Sequence, residues 1–64
     1  MRINLYDKTG IYINTEDYVC LPRIGEFVQM YSPKYCGECE VLKVVHTSIG
    51  CPGIWLDTIK NKTL

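Results

Sequence analysis

The sequence predicts a small all-β domain, a barrel of about five antiparallel strands. Short segments alternate apolar and polar residues with the period of two that is typical of half-buried strands. Turn-forming residues separate these segments, and no stretch keeps the helical period of 3.6 residues over three turns. The five predicted strands are 2–6, 11–14, 26–31, 40–47 and 53–59. Closure into a barrel is favoured because it removes exposed strand edges.

The first two strands form a predicted hairpin. Ile3 and Leu5 alternate with polar neighbours, and residues 7–10 suit a type I turn because an aspartate begins it and a glycine ends it. Residues 11–13 resume strand-forming side chains. Residues 14–17 fit two interpretations equally, a single capped helical turn or an irregular loop.

The other three strands are separated by turns that contain glycine and proline. Pro22 and Gly25 predict a turn before the third strand, because proline fixes φ and glycine adopts conformations that other residues resist. Residues 32–39 are predicted as a loop. Residues 40–47 are rich in β-branched side chains and almost continuously apolar, which predicts the central strand of the sheet.

Length and composition indicate one globular domain that spans residues 1–64. The composition is 47% hydrophobic and 22% charged, with a formal net charge of zero. This charge balance argues against a protein that coats nucleic acid polymers or anionic membranes. We expect a cytoplasmic protein, because no apolar run has the length of a signal peptide or a membrane span.

Three segments, 21–28, 41–46 and 54–56, together resemble an SH3-like small β-barrel. The pattern is similar in particular to short uncharacterised proteins that bacteria and their phages encode. The likeness covers roughly residues 21–59 and consists of turns and strands, with no catalytic motif. It implies a binding protein, because such barrels bind peptides, nucleic acids or small ligands, or pack against a partner.

The cysteines and the single histidine resemble a zinc knuckle. Cys36, Cys39, His46 and Cys51 follow the order of such a site, with a longer middle spacer. A strand at 40–46 separates Cys39 from His46 by on the order of 20 Å, so one zinc ion cannot hold both. We therefore expect Cys36 and Cys39 at one end of the barrel, and Cys20, Cys51 and His46 at the other.

Cys36 and Cys39 on their own have two interpretations. The favoured one is a pair of thiols in an exposed loop, with no cofactor bound. The alternative is a zinc site that uses these two thiols together with ligands from outside the chain. Cys20 and Cys51 are interpreted as small buried hydrophobic residues.

We predict that the protein is not an enzyme. His46, a nearby thiol and Asp57 supply the residue types of a nucleophile, a base and an orienting acid. A histidine at the end of a central strand is more typical of a partly buried residue with one hydrogen bond. A barrel of this size also leaves little room for a pocket that excludes water.

Aromatic residues supply the candidate contact residues. Trp55, Tyr31, Tyr35 and Arg23 are predicted to contact a ligand or a partner, because aromatic rings stack and one cation suffices for a small anion. The alternative for Trp55 is an interior core side chain, and it is the favoured one.

The function that these patterns favour is a non-enzymatic binding module. We expect it to act through protein–protein contacts, with a second copy of itself among its partners. The reasons are that the sequence shows no set of catalytic residues and that exposed strand edges tend to pair with other strands. The first alternative is a protein of phage origin that binds or sequesters a small anionic ligand of the nucleotide type. The second is a zinc-binding module built on Cys36 and Cys39.

Overall fold

The computed structural model describes residues 1–31 and 35–58, without the side chains of Tyr31 and Cys36. Its five strands are β1 (Arg2–Asp7), β2 (Tyr12–Asp17), β3 (Phe27–Tyr31), β4 (Cys36–Val45) and β5 (Gly53–Asp57). The predicted all-β fold is confirmed. Across the two described ranges, no helix has the length and apolar character that crossing a membrane requires.

The strands form one mixed sheet that curls into a half-barrel, in the order β2-β1-β5-β4-β3. Three of the four strand pairs are antiparallel, as predicted. The pair of β1 with β5 is parallel, with Leu5 opposite Ile54. The difference arises because β1, rather than β2, is the strand of the first hairpin that pairs with β5. Strand β1 runs in the same direction as β5, whereas β2 runs in the opposite direction. The sequence contains no signal for that choice of neighbour.

The turn of the first hairpin forms as predicted. The Gly10 amide donates to the carbonyl oxygen of Asp7 at 2.9 Å, which closes the turn, and the Asp7 amide donates to the carbonyl of Ile11. Gly10 adopts a φ of 93°, a left-handed conformation that favours glycine. Strand β2 then continues through residues 14–17, where the sequence predicts a helical turn or a loop.

The Asp7 carboxylate holds this turn from inside the barrel. Its Oδ1 accepts hydrogen bonds from the amides of Thr9 and Ile11 and from the Thr9 hydroxyl, at 2.6–3.0 Å. The Tyr35 hydroxyl donates to the other oxygen, Oδ2, at 3.3 Å. The hydroxyl of Thr9 and the amide of Ile11 lower the pKa of Asp7 below its usual value of 3.8, because they stabilise the charged form.

This lowered pKa predicts a loss of stability in acid. A carboxyl group whose pKa is lower in the folded state stabilises the protein above its unfolded pKa, and that stability is lost as the pH falls through the folded pKa. We expect the free energy of unfolding to fall below about pH 4, and the Asp7→Asn variant to show a weaker fall. Urea denaturation between pH 2.5 and 7 measures both. An equal acid loss in wild type and variant would contradict this assignment.

The hydrophobic core lies on the concave face of the sheet. Alternate residues of every strand except β2 contribute fully or almost fully buried side chains. They are Ile3, Leu5, Val28, Met30, Cys39, Val41, Ile54 and Leu56. Ile13, Tyr18, Leu21 and Val44 pack against this core and are partly buried.

Strand β4 is an interior strand of the sheet, but it is next to the edge strand β3, and β5 rather than β4 occupies the predicted central position. Its first half pairs with β3 and its second half pairs with β5, with an irregularity at Leu42 between the residues that face Leu56 and Trp55. The strand begins at Cys36 rather than at residue 40, so the loop predicted at 32–39 is wrong for residues 36–39, while residues 32–34 of that prediction lie outside the described residues. Cys39 faces Val28 and is fully buried in the core.

Candidate functional site: the open side of the half-barrel

The half-barrel is open between its first and last strands in sheet order. Strand β2 is one edge of the sheet and β3 is the other, and among the described residues no strand covers either edge. A groove of about 710 Å³ lies on this open side. It is lined by Glu16, Tyr18, Cys20, Leu21, Pro22, Glu26, Phe27, Val28 and Gln29. This volume is within the range of typical ligand-binding sites, about 300–1,000 Å³.

The free edge of β3 presents the backbone groups of Phe27 and Gln29. The Val41 amide donates to the carbonyl of Glu26 at 2.8 Å. This hydrogen bond shows that the carbonyl group of Glu26 faces β4, and it therefore determines which residues of β3 direct their backbone groups to β4. Successive residues of a strand direct their N–H and C=O groups to opposite sides. The backbone groups of Val28 therefore face β4, and those of Phe27 and Gln29 point into the open side.

The same reasoning applies to β2. The Tyr18 amide donates to the carbonyl of Met1, and the N-terminal amine donates to the carbonyl of Tyr18, both at 2.7 Å. Residues 14 and 16 therefore direct their backbone groups to β1. Those of Thr15 and Asp17 point away from the sheet, so both edges of the open side carry residues with outward-facing backbone groups.

The groove is acidic. Glu16 lies opposite Ile3 and therefore on the concave face, while Glu26 lies just before β3. Glu16 accepts a hydrogen bond from the Asn14 side-chain amide at 3.1 Å, and Glu26 accepts one from the Arg23 backbone amide at 2.7 Å. No lysine or arginine is among the lining residues, and neither glutamate forms an ion pair with another described residue.

The pKa of Tyr18 shows the effect of the Glu16 charge in this groove. Burial raises the pKa of Tyr18, and the negative charge of Glu16 raises it further. The residues that line the groove therefore include two carboxylates and no lysine or arginine.

A second depression adjoins the groove and shares Leu21 and Pro22 with it. It has a volume of about 530 Å³ and is lined also by Arg23, Ile24, Val44 and His46. Ile24 is 68% exposed, at the tip of a turn in which the Glu26 amide donates to the carbonyl of Arg23. Gly25 holds that turn with a φ of 90°, as the sequence predicts. Arg23 lies at the surface beside the groove.

Trp55 lies on the convex face of the sheet, so the interpretation as an interior core side chain is wrong. Its ring stacks on Tyr6 with centroids 4.4 Å apart, and the Lys43 ammonium lies 4.8 Å from its centroid. Because β5 lies between β1 and β4, these two side chains approach the indole from opposite sides. Both faces of the ring are thus occupied, and a nucleotide base has no free face of Trp55 on which to stack.

The two remaining predicted contact residues are Tyr35, whose side chain the structure describes, and Tyr31, whose side chain it does not. Tyr35 is buried, with 8% of its surface exposed, and its hydroxyl contacts Asp7 inside the fold. A partner does not reach Tyr35 on the surface. The side chain of Tyr31 is outside the described part of the structure. Of the four predicted residues, the structure places Arg23 beside the groove and Trp55 on a different face.

The extended course of β4 separates the candidate zinc ligands. Cys39 is near the start of the strand and His46 follows its end, so they are on the order of 20 Å apart. Among the described residues, no three histidine, cysteine, aspartate or glutamate side chains are placed to hold a metal ion. The zinc alternative depends on Cys36, whose side chain is not described, and it stays a prediction.

The candidate catalytic residues lie apart as well. Val45, next to His46, pairs with Gly53 at the start of β5, whereas Asp57 is at the end of that strand. Four residues of extended strand separate these positions by roughly 13 Å. Cys20 is exposed, which contradicts its interpretation as a buried residue, and Cys51 is partly buried.

Sequence reasoning did not identify Glu16, Phe27 or Gln29 as residues of a candidate site. The available signal was the polar segment 14–17, which borders strand-forming residues and is typical of an exposed sheet edge. Its interpretation as a helical turn or a loop concealed that edge.

The comparisons with known proteins leave the site to be interpreted from its own geometry. No protein-family model matches the sequence, and no curated protein or solved structure matches it significantly. The SH3-like relationship and the phage origin therefore stay predictions, whereas the small all-β half-barrel is observed.

Proposed function

We propose that this protein is a non-enzymatic binding module whose open side contacts other proteins, a second copy of itself among them. The observation that carries the proposal is the pair of strand edges beside the groove, which no strand among residues 1–31 and 35–58 covers. Uncovered edges pair readily with further strands, and natural proteins usually block or close them. Strand addition at such an edge is a common mode of peptide recognition, with affinity from backbone hydrogen bonds and specificity from alternate side chains.

Edge β3 is the better docking strand of the two. Phe27 is 63% exposed and lies next to outward-facing backbone groups, so an added strand would cover an aromatic ring as well as pair with the backbone. Glycine and proline are absent from β3, and proline is one of the usual devices that protect an edge. The proposal includes a cytoplasmic location, which the free thiols of Cys20 and Cys51 support.

The Gln29→Pro variant tests the docking edge. The Gln29 amide points away from β4, so proline at this position removes the donor for a partner strand without removing a hydrogen bond of the sheet. We expect wild-type protein to self-associate as its concentration rises from about 10 μM to 1 mM, and the variant to stay monomeric. Light scattering measures the mass, and amide chemical shifts identify the residues involved.

The control is Gln29→Thr, which keeps the backbone donor and a strand-forming side chain. It should associate as the wild type does. Association that survives Gln29→Pro would place the contact elsewhere on the surface. A wild-type protein that stays monomeric throughout the range would refute self-association.

A further inference from the structure

We infer that the strand that adds to β3 is the β3 strand of a second copy of this chain, antiparallel to the first, with a two-fold axis between the two Gln29 residues. This inference rests on the proposed function, because it names the partner and the register at the edge where strand addition is proposed. Symmetric backbone groups, matching side chains, an unprotected edge and well-separated charges support it.

The outward-facing backbone groups of β3 are arranged symmetrically about Gln29. The strand has five residues, and Gln29 is the middle one. Because the backbone groups of Val28 face β4, those of Phe27, Gln29 and Tyr31 face the open side. A two-fold axis perpendicular to the sheet at Gln29 places Gln29 opposite Gln29 and Phe27 opposite Tyr31, so every outward-facing amide and carbonyl of the strand has a partner. An axis at either neighbouring residue leaves an outward-facing residue at one end of the strand unpaired.

The side chains of such a pair match on both faces of the sheet. Val28 and Met30 lie on the concave face and are buried in the core. This register sets Val28 of one copy opposite Met30 of the other, so apolar side chains adjoin on that face. Phe27 lies on the convex face and is 63% exposed, so the added strand covers part of its ring.

Strand β3 lacks the residues that protect a sheet edge, whereas β2 has them. Natural edge strands are protected by charged side chains, proline or bulges. Strand β3 has no charged residue, proline or glycine. Strand β2 ends in Glu16 and Asp17, and Glu16 lies opposite Ile3 on the concave face. An inward-pointing charge prevents further pairing, so the contrast selects β3 as the edge that pairs.

The charges nearest to this edge are compatible with a second copy. Glu38 and Glu40 lie on the convex face of β4, opposite Gln29 and Phe27. In the pair, Glu38 of one copy is three strand spacings from Glu38 of the other, which is roughly 14 Å. This separation exceeds the Debye length of about 8 Å at physiological salt, so the repulsion is largely screened. The two β3 strands between them meet without like charges.

Opposite charges at position 29 test the axis. Gln29→Lys and Gln29→Glu both keep the backbone amide, and each sets two like charges directly opposite one another in its own dimer. We expect each variant alone to associate roughly threefold more weakly than the wild type, and an equimolar mixture to associate at least as well as the wild type. Sedimentation equilibrium from about 10 μM to 1 mM in physiological salt measures the association, because an interface of five residues per copy is small and therefore weak.

The matched control is the same pair of substitutions at Thr15. Its backbone groups also face outward, but on the other edge strand, β2. Thr15→Lys, Thr15→Glu and their mixture should associate as the wild type does. Nuclear Overhauser contacts in a mixture of isotope-labelled and unlabelled wild type locate the axis independently. We expect one between the α-protons of Val28 and Met30 of different copies, because Cα atoms of such non-hydrogen-bonded pairs lie about 4.5 Å apart.

The outcomes separate this inference from the proposed function. If the mixed Gln29 variants associate no better than either alone, or if the contact joins Val28 to Val28, the axis at Gln29 is refuted, while Gln29→Pro still decides strand addition. If the Thr15 variants alter association as the Gln29 variants do, the β3 edge is not the contact and the inference is refuted. A wild type that stays monomeric refutes this inference together with self-association, but not contacts with other proteins.

Discussion

Replacing Leu56 with alanine is expected to leave a large fraction of the protein unfolded at room temperature. Leu56 is fully buried on β5, between β1 and β4, and faces Asp7 and Val41 across the two interfaces. Removal of a buried leucine side chain costs about 2–5 kcal/mol, because apolar burial is lost and a cavity remains. Domains below about 70–80 residues rarely carry more than about 3–5 kcal/mol of stability in total.

The control is the same substitution at Leu42, in the irregularity of β4. Leu42 is 42% exposed and is skipped by the pairing of β4 with β5, so its truncation should cost about 1 kcal/mol or less. Urea denaturation followed by circular dichroism gives the free energy of unfolding of both variants. Equal losses at Leu56 and Leu42 would show that the core is not centred on β5.

The fold was largely predictable because alternation and turn chemistry are local signals. Ile3 and Leu5 face the core, and Gly10 and Gly25 take the left-handed conformations that their turns require. Local signals do not encode which strands become neighbours. The parallel contact of β1 with β5 depends on how the hairpin docks on the meander, and no residue type marks it.

Errors in the prediction concentrate where polar residues form strands. Residues 14–17 belong to an edge strand, where polar side chains are common because only one neighbouring strand is present. Gly37 suggested a loop, yet its φ of 94° is accommodated within β4. These two misassignments had a functional consequence, because they hid the sheet edge beside the groove and the burial of Cys39.

The candidate site was harder to predict than the fold. Tyr35 and Trp55 were chosen because they are aromatic, but neither lines the groove. The groove is formed by backbone direction and by two glutamates from distant parts of the chain. Sequence spacing does not bring Glu16 near Phe27, and only the order of strands in the sheet does so.

Gly53→Ala is expected to destabilise the protein by about 1–2 kcal/mol. This expectation is opposite to the intrinsic preference of a strand, which favours alanine over glycine. An added Cβ at this position would lie 2.8 Å from Cε2 of Tyr6 and 3.3 Å from Cζ3 of Trp55. Glycine costs a strand about 0.5–1 kcal/mol relative to alanine, so without that contact the substitution would be favourable. Overpacking typically costs about 1–3 kcal/mol, which is the larger effect.

The Tyr6 ring has little freedom to move away from the added methyl group. It is stacked on Trp55 and makes an edge contact with Tyr12 at a centroid distance of 6.0 Å. Displacing it would break the stack that the Lys43 ammonium covers from the other side. Aromatic pairs of this kind contribute about 0.5–1.5 kcal/mol beyond the area that they bury. The loss of stability in Gly53→Ala is therefore expected to come from the contact of the added Cβ with the Tyr6 ring rather than from backbone strain.

A double-mutant cycle with Tyr6→Ala separates the two causes. Without the tyrosine ring, the shortest contact of the added Cβ is gone, and Gly53→Ala should become neutral or slightly stabilising. Urea denaturation of the wild type, the two single variants and the double variant gives the coupling energy, which we expect to be about 1 kcal/mol or more. A cost of Gly53→Ala that persists in the absence of Tyr6 would assign it to Trp55 or to the β5 backbone instead.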